Sequence, residues 1–84
     1  MRIYYHPRFR GAVKRLPRAS QLKAENREKV FRQNPFDPRL DTHKLHGKLK
    51  DLWSFAIDRK HRILFAFDNG DIIFLDAGDH DIYK

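Results

Sequence analysis

The sequence predicts an α+β domain of two layers, in which two N-terminal helices pack on an antiparallel sheet. Leu52–Asp68 alternates aromatic and β-branched residues in two arms around a charged turn, which is typical of a β-hairpin. Asn69-Gly70 favours a second tight turn into a last strand, Asp71–Asp76. The preceding half of the chain has apolar residues at helical spacing between prolines. The predicted element order is β-α-α-β-β-β, in one domain over residues 1–84.

The first half supplies a short strand and two helices. Arg2–His6 alternates as a strand does, and Pro7 suits the first turn of a helix. That helix is expected from about Arg8 to Leu16, where a proline follows. The spacing predicts a longer helix over Arg18–Gln33.

The second helix has a thin apolar stripe and many cations. Its apolar positions are Ala19, Leu22, Val30 and Phe31. We expect this stripe to face the core, and the Arg and Lys side chains to form a solvated outer face.

A stiff loop and a short extended segment connect the helices to the hairpin. Phe36 and Leu40 are expected to tuck under the helices. Asp41–Gly47 is predicted to be a short extended segment, with Leu45 pointing inward and His43 on the same side.

The two faces of the predicted hairpin differ in character. Alternation places the large apolar side chains on one face, which needs a helical layer over it: Trp53, Phe55, Ile57, Ile63, Phe65 and Phe67. The other face has small residues and one cation, Arg62. This arrangement allows a binding surface at Arg62, or a solvated Arg at a strand end.

The charge distribution predicts a polyanionic partner. The net charge is +7, divided as +11 over residues 1–62 and −4 over residues 63–84. RNA, DNA, the ribosome or an acidic protein tail would complement this positive charge. Some small proteins are basic without having such a partner. The absence of cysteine excludes disulfides and thiolate zinc sites, which suits the cytoplasm. No apolar run predicts a membrane span, and no signal peptide is recognisable.

Three groups of motifs resemble the RelE/ParE toxin superfamily, and its RelE/YafQ-like branch in particular. The first is Asn34–Leu40 followed by His43–Gly47. The second is Trp53–Ile57 leading to His61–Phe65, and the third is Gly78–Lys84 at the C-terminus. The resemblance covers about the last fifty residues by motif and the whole chain by element order.

The resemblance implies the toxin of a type II toxin–antitoxin system. Members of this branch are mRNA interferases that cut mRNA, usually in the ribosomal A site, by attack of a ribose 2′-OH on its own 3′ phosphodiester. The reaction needs no metal, so no cofactor is expected. A cognate antitoxin is the expected protein partner, with the chain a monomer alone and part of a hetero-oligomer with the antitoxin.

The resemblance also implies roles for individual residues. His43 matches the position of the general base, and His80 resembles the C-terminal catalytic histidine, here a general acid; the two roles are interchangeable. Arg62 resembles the strand arginine that binds the scissile phosphate. Tyr83 resembles the terminal aromatic that orients a base. His46 and Lys60 are further candidates for phosphate contact.

Other interpretations of these residues stay open. A histidine near a strand end is often a plain surface residue, and Trp53 and Tyr83 could be core or lid residues. His43, His46 and His80 could imitate a zinc site, but the sequence suggests no firm fourth ligand. At the level of function, the alternatives are a ParE-like inhibitor of DNA gyrase and a non-catalytic basic binding module of the same fold.

Overall fold

The computed structural model describes residues 1–83. The strands are β1 (Ile3–Tyr5), β2 (His43–Lys44), β3 (Trp53–Ala56), β4 (Arg62–Asp68) and β5 (Asp71–Gly78), and the helices are α1 (Pro7–Arg15) and α2 (Arg18–Gln33). Single 3₁₀ turns lie at Pro38–Leu40, Gly47–Leu49 and His80–Tyr83. The predicted α+β class is confirmed, and the second helix has the predicted bounds. Over residues 1–83, no helix is long and apolar enough to cross a membrane.

The strands form one sheet in the order β1-β5-β4-β3-β2. β1 runs parallel to β5, with Ile3 opposite Ile72, and the other neighbours are antiparallel. The segment predicted to be extended around His43 is an edge strand, in which His43 lies opposite Ser54 of β3. The last three strands therefore form the predicted meander, and one short strand extends it on each side.

The core lies between the two helices and the sheet. Phe31 of α2 stacks on Phe55 with ring centroids 4.8 Å apart and meets Phe65 edge-on at 5.0 Å. All three side chains are fully buried, and such pairs add specific geometry to hydrophobic burial. The large apolar face of the hairpin packs into the core, as predicted. The exception is Phe67, near the C-terminal end of β4, which is exposed.

The predicted apolar stripe of α2 is wrong at its N-terminal half. Ala19 and Leu22 face solvent, and the helix buries Ser20 and Ala24 in their place, whereas Phe31 is buried as predicted. Ser20 is turned inward because its hydroxyl donates to Asp58 in the turn between β3 and β4, at 2.7 Å.

Phe36 is also not where the sequence predicted it. Leu40 is fully buried, as expected, but Phe36 is 53% exposed. Its ring packs on Trp53 at 5.5 Å and on Phe67 at 6.1 Å. These three rings form a partly exposed aromatic cluster, because the helical layer does not reach this end of the sheet.

Two glycines, Gly70 and Gly78, allow the tight chain reversals before and after β5. Asn69 and Gly70 have φ values of 51° and 87°, as the predicted hairpin turn requires. At Gly78 a Cβ atom would lie 2.9 Å from Cγ2 of Ile82, so the chain folds back tightly after β5. This return brings the last 3₁₀ turn against the sheet face opposite the helices.

Candidate active site

Arg62 is the first residue of β4 and the centre of a hydrogen-bonded group. Its Nε donates to Oγ of Ser54 at 3.0 Å, and its Nη2 donates to the main-chain oxygen of Asp41 at 2.7 Å. Its Nη1 forms an ion pair with Oδ2 of Asp41 at 3.4 Å. The side chain is only 19% exposed. Arg62 is therefore held in one orientation, and the alternative of a freely solvated strand-end residue does not hold.

Ser54 supports two of the predicted site residues at once. It is fully buried in β3 and receives the Nε–H of Arg62 and the hydroxyl of Tyr83, the latter at 3.1 Å. Sequence reasoning did not single out Ser54. The available signal was its place as a lone hydroxyl on the small-residue face of the hairpin, the same face as Arg62.

Asp41 is a second residue that the sequence reasoning missed. It has a left-handed backbone, with φ 48° and ψ 47°. This conformation presents its main-chain oxygen to two groups, Nη2 of Arg62 and Nδ1 of His43, the latter 3.1 Å away. Asp tolerates this conformation better than most residues, because its short polar side chain bonds locally.

His43 lies beside the Arg62 guanidinium on the edge strand. Its Nδ1 is 3.3 Å from Nη2 of Arg62, and the side chain is exposed. When Nδ1 carries a proton, it donates to the Asp41 oxygen and leaves Nε2 directed away from this contact. The imidazole is thus oriented by the same carbonyl that orients Arg62.

Arg62 also lines a cavity of about 340 Å³, which we call the cleft and whose lining does not include His43. Its lining residues are Arg59, Lys60, Arg62, Asp79, His80 and Tyr83. Among the described lining residues, Asp79 is the single carboxylate. The hydrogen bond from the Asp81 N–H and the nearby Lys60 charge hold the pKa of Asp79 below its ordinary value. The cleft is therefore lined mainly by cations and by groups that donate hydrogen bonds.

The structure brings together four of the predicted site residues and places the other two nearby or elsewhere. Lys60, Arg62, His80 and Tyr83 line the cleft, and His43 contacts Arg62 from outside it. His46 precedes the Gly47–Leu49 turn, is exposed, and is not part of the cleft lining. The last residue of the C-terminal motif, Lys84, lies outside the described residues.

A partly buried carboxylate fixes the turn that carries Arg59 and Lys60. Asp58 accepts hydrogen bonds from Ser20 Oγ at 2.7 Å and from the N–H groups of Lys60 and His61 at 2.9 and 2.8 Å. Burial alone would raise the pKa of Asp58, but these hydrogen bonds and the His61 side chain outweigh it and lower the pKa. The His61 side chain is part of this network, with its Nδ1 3.1 Å from Oδ1 of Asp58.

A larger basic cavity, which we call the groove, adjoins the cleft. Its volume is about 520 Å³. Its polar lining comprises Lys23, Asn26, Arg27, Arg39, Asp41, Asp58, Arg59 and Arg62. Arg59 and Arg62 line both cavities. The cations of α2 were expected to form a solvated outer face. Lys23 and Arg27 instead border this concave surface.

Within residues 1–83, no three His, Asp or Glu side chains come close enough together to hold a metal ion. His43, His46 and His80, which could have imitated a zinc site in the sequence, do not form such a group. What the described site offers is a fixed guanidinium, two imidazoles and additional cations.

Solved structures share this arrangement of the chain over almost its full length. YafQ from E. coli strain BL21(DE3) has a TM-score of 0.80 at 16% identity, covering 99% of this chain and 98% of that one. The YoeB dimer from Staphylococcus aureus has a TM-score of 0.76 at 19% identity, covering 95% and 97%. The toxin–antitoxin complex RelBE2 from Mycobacterium tuberculosis has a TM-score of 0.77 at 15% identity, covering 94% and 96%.

The chain has the fold of the RelE/ParE toxin superfamily. This confirms the RelE-like fold that the sequence motifs implied. At this level of identity the likeness describes the fold, and no family model or curated protein matches the sequence. A function for this RelE-like chain must therefore be argued from the side chains of its site.

Proposed function

We propose that this chain is the toxin of a type II toxin–antitoxin pair and that it cleaves messenger RNA on the ribosome. The observation that carries the proposal is the position of Arg62. Its Nη2 lies 3.3 Å from Nδ1 of His43, and its guanidinium lines a basic cleft together with His80. One group suited to binding a phosphate thus has two side chains suited to proton transfer in its neighbourhood.

The proposed reaction is an attack of a ribose 2′-oxygen on the adjacent phosphorus. His43 takes the proton of the 2′-OH, and His80 gives a proton to the departing 5′-oxygen; the reverse assignment uses the same two groups. The P–O5′ bond breaks as the O2′–P bond forms, so the products are a 2′,3′-cyclic phosphate and a 5′-hydroxyl. Each positioned proton-transfer group is worth roughly 10²–10⁴ in rate.

Arg62 would stabilise the extra negative charge on the phosphorane. A guanidinium remains charged and offers donors in a rigid fork. The contacts to Ser54 and Asp41 hold that fork in place before substrate arrives, so little reorganisation is needed during the reaction.

The remaining candidates have supporting roles in this proposal. Lys60 lines the cleft and would neutralise a neighbouring phosphate. The Tyr83 ring also lines the cleft, with its hydroxyl tied to Ser54, and would orient or stack on a base. His46 is an exposed residue that would contact a more distant phosphate.

The proposal includes a cognate antitoxin that blocks the site, and a cytoplasmic location where ribosomes are available. A complex called toxin–antitoxin is known for a structural relative, RelBE2 from Mycobacterium tuberculosis. An acidic partner segment would complement the net charge of +7. Co-purification with the product of the neighbouring gene tests this part.

The activity is tested by adding the pure protein to a reconstituted translation reaction with one defined mRNA. We expect cuts that carry 5′-hydroxyl ends and that require ribosomes. Arg62→Ala and His80→Ala should each reduce cutting by about 10²-fold or more. Lys29→Gln changes an exposed cation outside the cleft and the groove, so it should cut like the unaltered protein. An intact message with the unaltered protein would contradict the proposal.

A further inference from the structure

We infer that the groove is a second phosphate-binding subsite, and that the Asp41 carboxylate is the resident anion that an incoming phosphate displaces. The ligand is a phosphodiester of a nucleotide that flanks the scissile bond in the same RNA strand. This inference rests on the proposed function, because it takes the cleft to hold the scissile phosphate.

The cations of the groove divide into neutralised and available ones. Arg39 is bound in bidentate fashion by Asp37, with nitrogen–oxygen distances of 3.0 and 2.9 Å. Lys23, Arg27 and Arg59 make no hydrogen bond or ion pair to any residue that the structure describes. The pKa of Asp37 is lowered mainly by its hydrogen bonds with Arg39 and also by the Arg27 charge, but Arg27 does not pair with it. Three cations around one concave surface can therefore bind an anion from outside the protein.

The groove adjoins the cleft. Arg59 and Arg62 line both cavities, so they stand at the boundary between them. A single strand that leaves the scissile phosphate at Arg62 can pass Arg59 and reach the α2 cations, although Ala56, Ile57 and the Asp58 carboxylate also line the groove. Basic grooves of this kind follow the backbone of single-stranded nucleic acids without reading their bases.

The Asp41 carboxylate reduces the positive charge of the groove at the point where the groove borders Arg62. Two of the three donor nitrogens of Arg62 are fixed by neutral oxygens, Nε by Ser54 Oγ and Nη2 by the Asp41 carbonyl. The third, Nη1, faces the Asp41 carboxylate at 3.4 Å, and that side chain is 75% exposed. A phosphate can replace this carboxylate on Nη1 without disturbing the contacts that hold Arg62 in place.

The test measures binding of an uncleavable 2′-O-methyl oligoribonucleotide of about eight nucleotides over a range of salt concentrations. Lys23→Gln with Arg27→Gln removes two groove cations. Lys14→Gln with Lys29→Gln removes two exposed cations elsewhere and is the matched control. We expect the groove pair to bind about tenfold more weakly and its log–log salt slope to flatten by about 1.4, since each single-strand phosphate contact contributes about 0.7. The control pair should keep the original slope.

A second pair of variants tests the role of Asp41. Asp41→Asn and Asp41→Gly both remove the carboxylate and both accept the left-handed backbone. Each should strengthen binding several-fold at low salt. This gain should shrink when Lys23→Gln and Arg27→Gln are also present, because the groove phosphate is then held less well.

The outcomes separate this inference from the proposed nuclease function. Equal weakening by the groove pair and the control pair would overturn the inference, and so would unchanged binding in both Asp41 variants. Groove-dependent binding by a protein that cuts no mRNA would retain the subsite and reject the nuclease. Normal mRNA cutting together with binding that does not depend on the groove cations would retain the nuclease function and reject the subsite.

Discussion

Nη2 of Arg62 donates a hydrogen bond of 2.7 Å to the main-chain oxygen of Asp41. The bond joins the start of β4 to a left-handed residue just before β2. The same oxygen lies 3.1 Å from Nδ1 of His43. One carbonyl group therefore orients both the phosphate-binding side chain of Arg62 and the candidate base His43. The direction of this carbonyl depends on the backbone conformation of Asp41.

We expect Ser54→Ala to reduce both stability and cleavage. The substitution leaves Arg62 Nε and the Tyr83 hydroxyl without their shared acceptor in a fully buried position. Loss of buried hydrogen bonds of this kind costs about 1–3 kcal/mol. Urea unfolding followed by circular dichroism measures the first effect, and mRNA cleavage in a reconstituted translation reaction measures the second.

The control for that variant is Ser20→Ala. Ser20 is also buried, but it donates to Asp58 and does not contact Arg62. It should lose stability of the same order while the folded protein retains more cleavage than Ser54→Ala. Equal cleavage by the two variants would mean that Ser54 acts only through stability.

A series at Asp41 separates its backbone from its carboxylate. Asp41→Ala must hold φ at 48° with an ordinary side chain, which costs about 1 kcal/mol. Asp41→Gly and Asp41→Asn avoid most of this strain. We therefore expect the free energy of unfolding to be lowest for the Ala variant, and an equal value in all three would show that the conformation is not retained in solution.

Asp58 makes stability depend on pH in a defined direction. Because the pKa of Asp58 is lowered from 3.8 in the folded state, the unfolded chain binds the proton more readily. The stabilisation is complete well above pH 3.8 and is lost as the pH falls below it. Asp58→Asn should thus lower the free energy of unfolding by about 2 kcal/mol at neutral pH. The difference in this free energy between the variant and the unaltered protein should become smaller as the pH falls. A difference that is constant with pH would contradict this assignment.

The pH dependence of cleavage tests the two histidines as a base and an acid. Two groups that act in opposite protonation states give a bell-shaped profile of kcat/KM. His43→Ala should remove one limb of the bell and His80→Ala the other. His6→Asn keeps a side-chain acceptor at the start of α1, far from these roles, and should retain both limbs. Two limbs in either site variant would exclude that histidine from proton transfer.

Much of the fold follows from local signals. The bounds of α2 were predictable because a proline precedes it and Asn34-Pro35 follows it. The hairpin around the 58–61 turn was predictable from its period of two. The exposure of Leu22 and Phe36 was not, because it depends on how far the helical layer extends over the sheet.

The site was less accessible to sequence reasoning than the fold. The family resemblance implied Arg62, His43 and His80; in the structure His43 contacts Arg62, and His80 lines the cleft that Arg62 also lines. Ser54 and Asp41 reach Arg62 from 8 and 21 residues away, and no periodicity encodes such contacts. The left-handed backbone at Asp41 also has no reliable signal, since Asp is common in ordinary turns.

The most direct measurement is primer extension on a reporter mRNA after brief induction of four versions of the protein: unaltered, Arg62→Ala, His80→Ala and Lys29→Gln. We expect cuts in phase with the reading frame from the unaltered and Lys29→Gln proteins, and none from the other two. Growth arrest without cuts in any version would contradict it and favour inhibition of gyrase. Neither arrest nor cuts would leave a basic binding module, and the roles given to Arg62, His43 and His80 would be wrong.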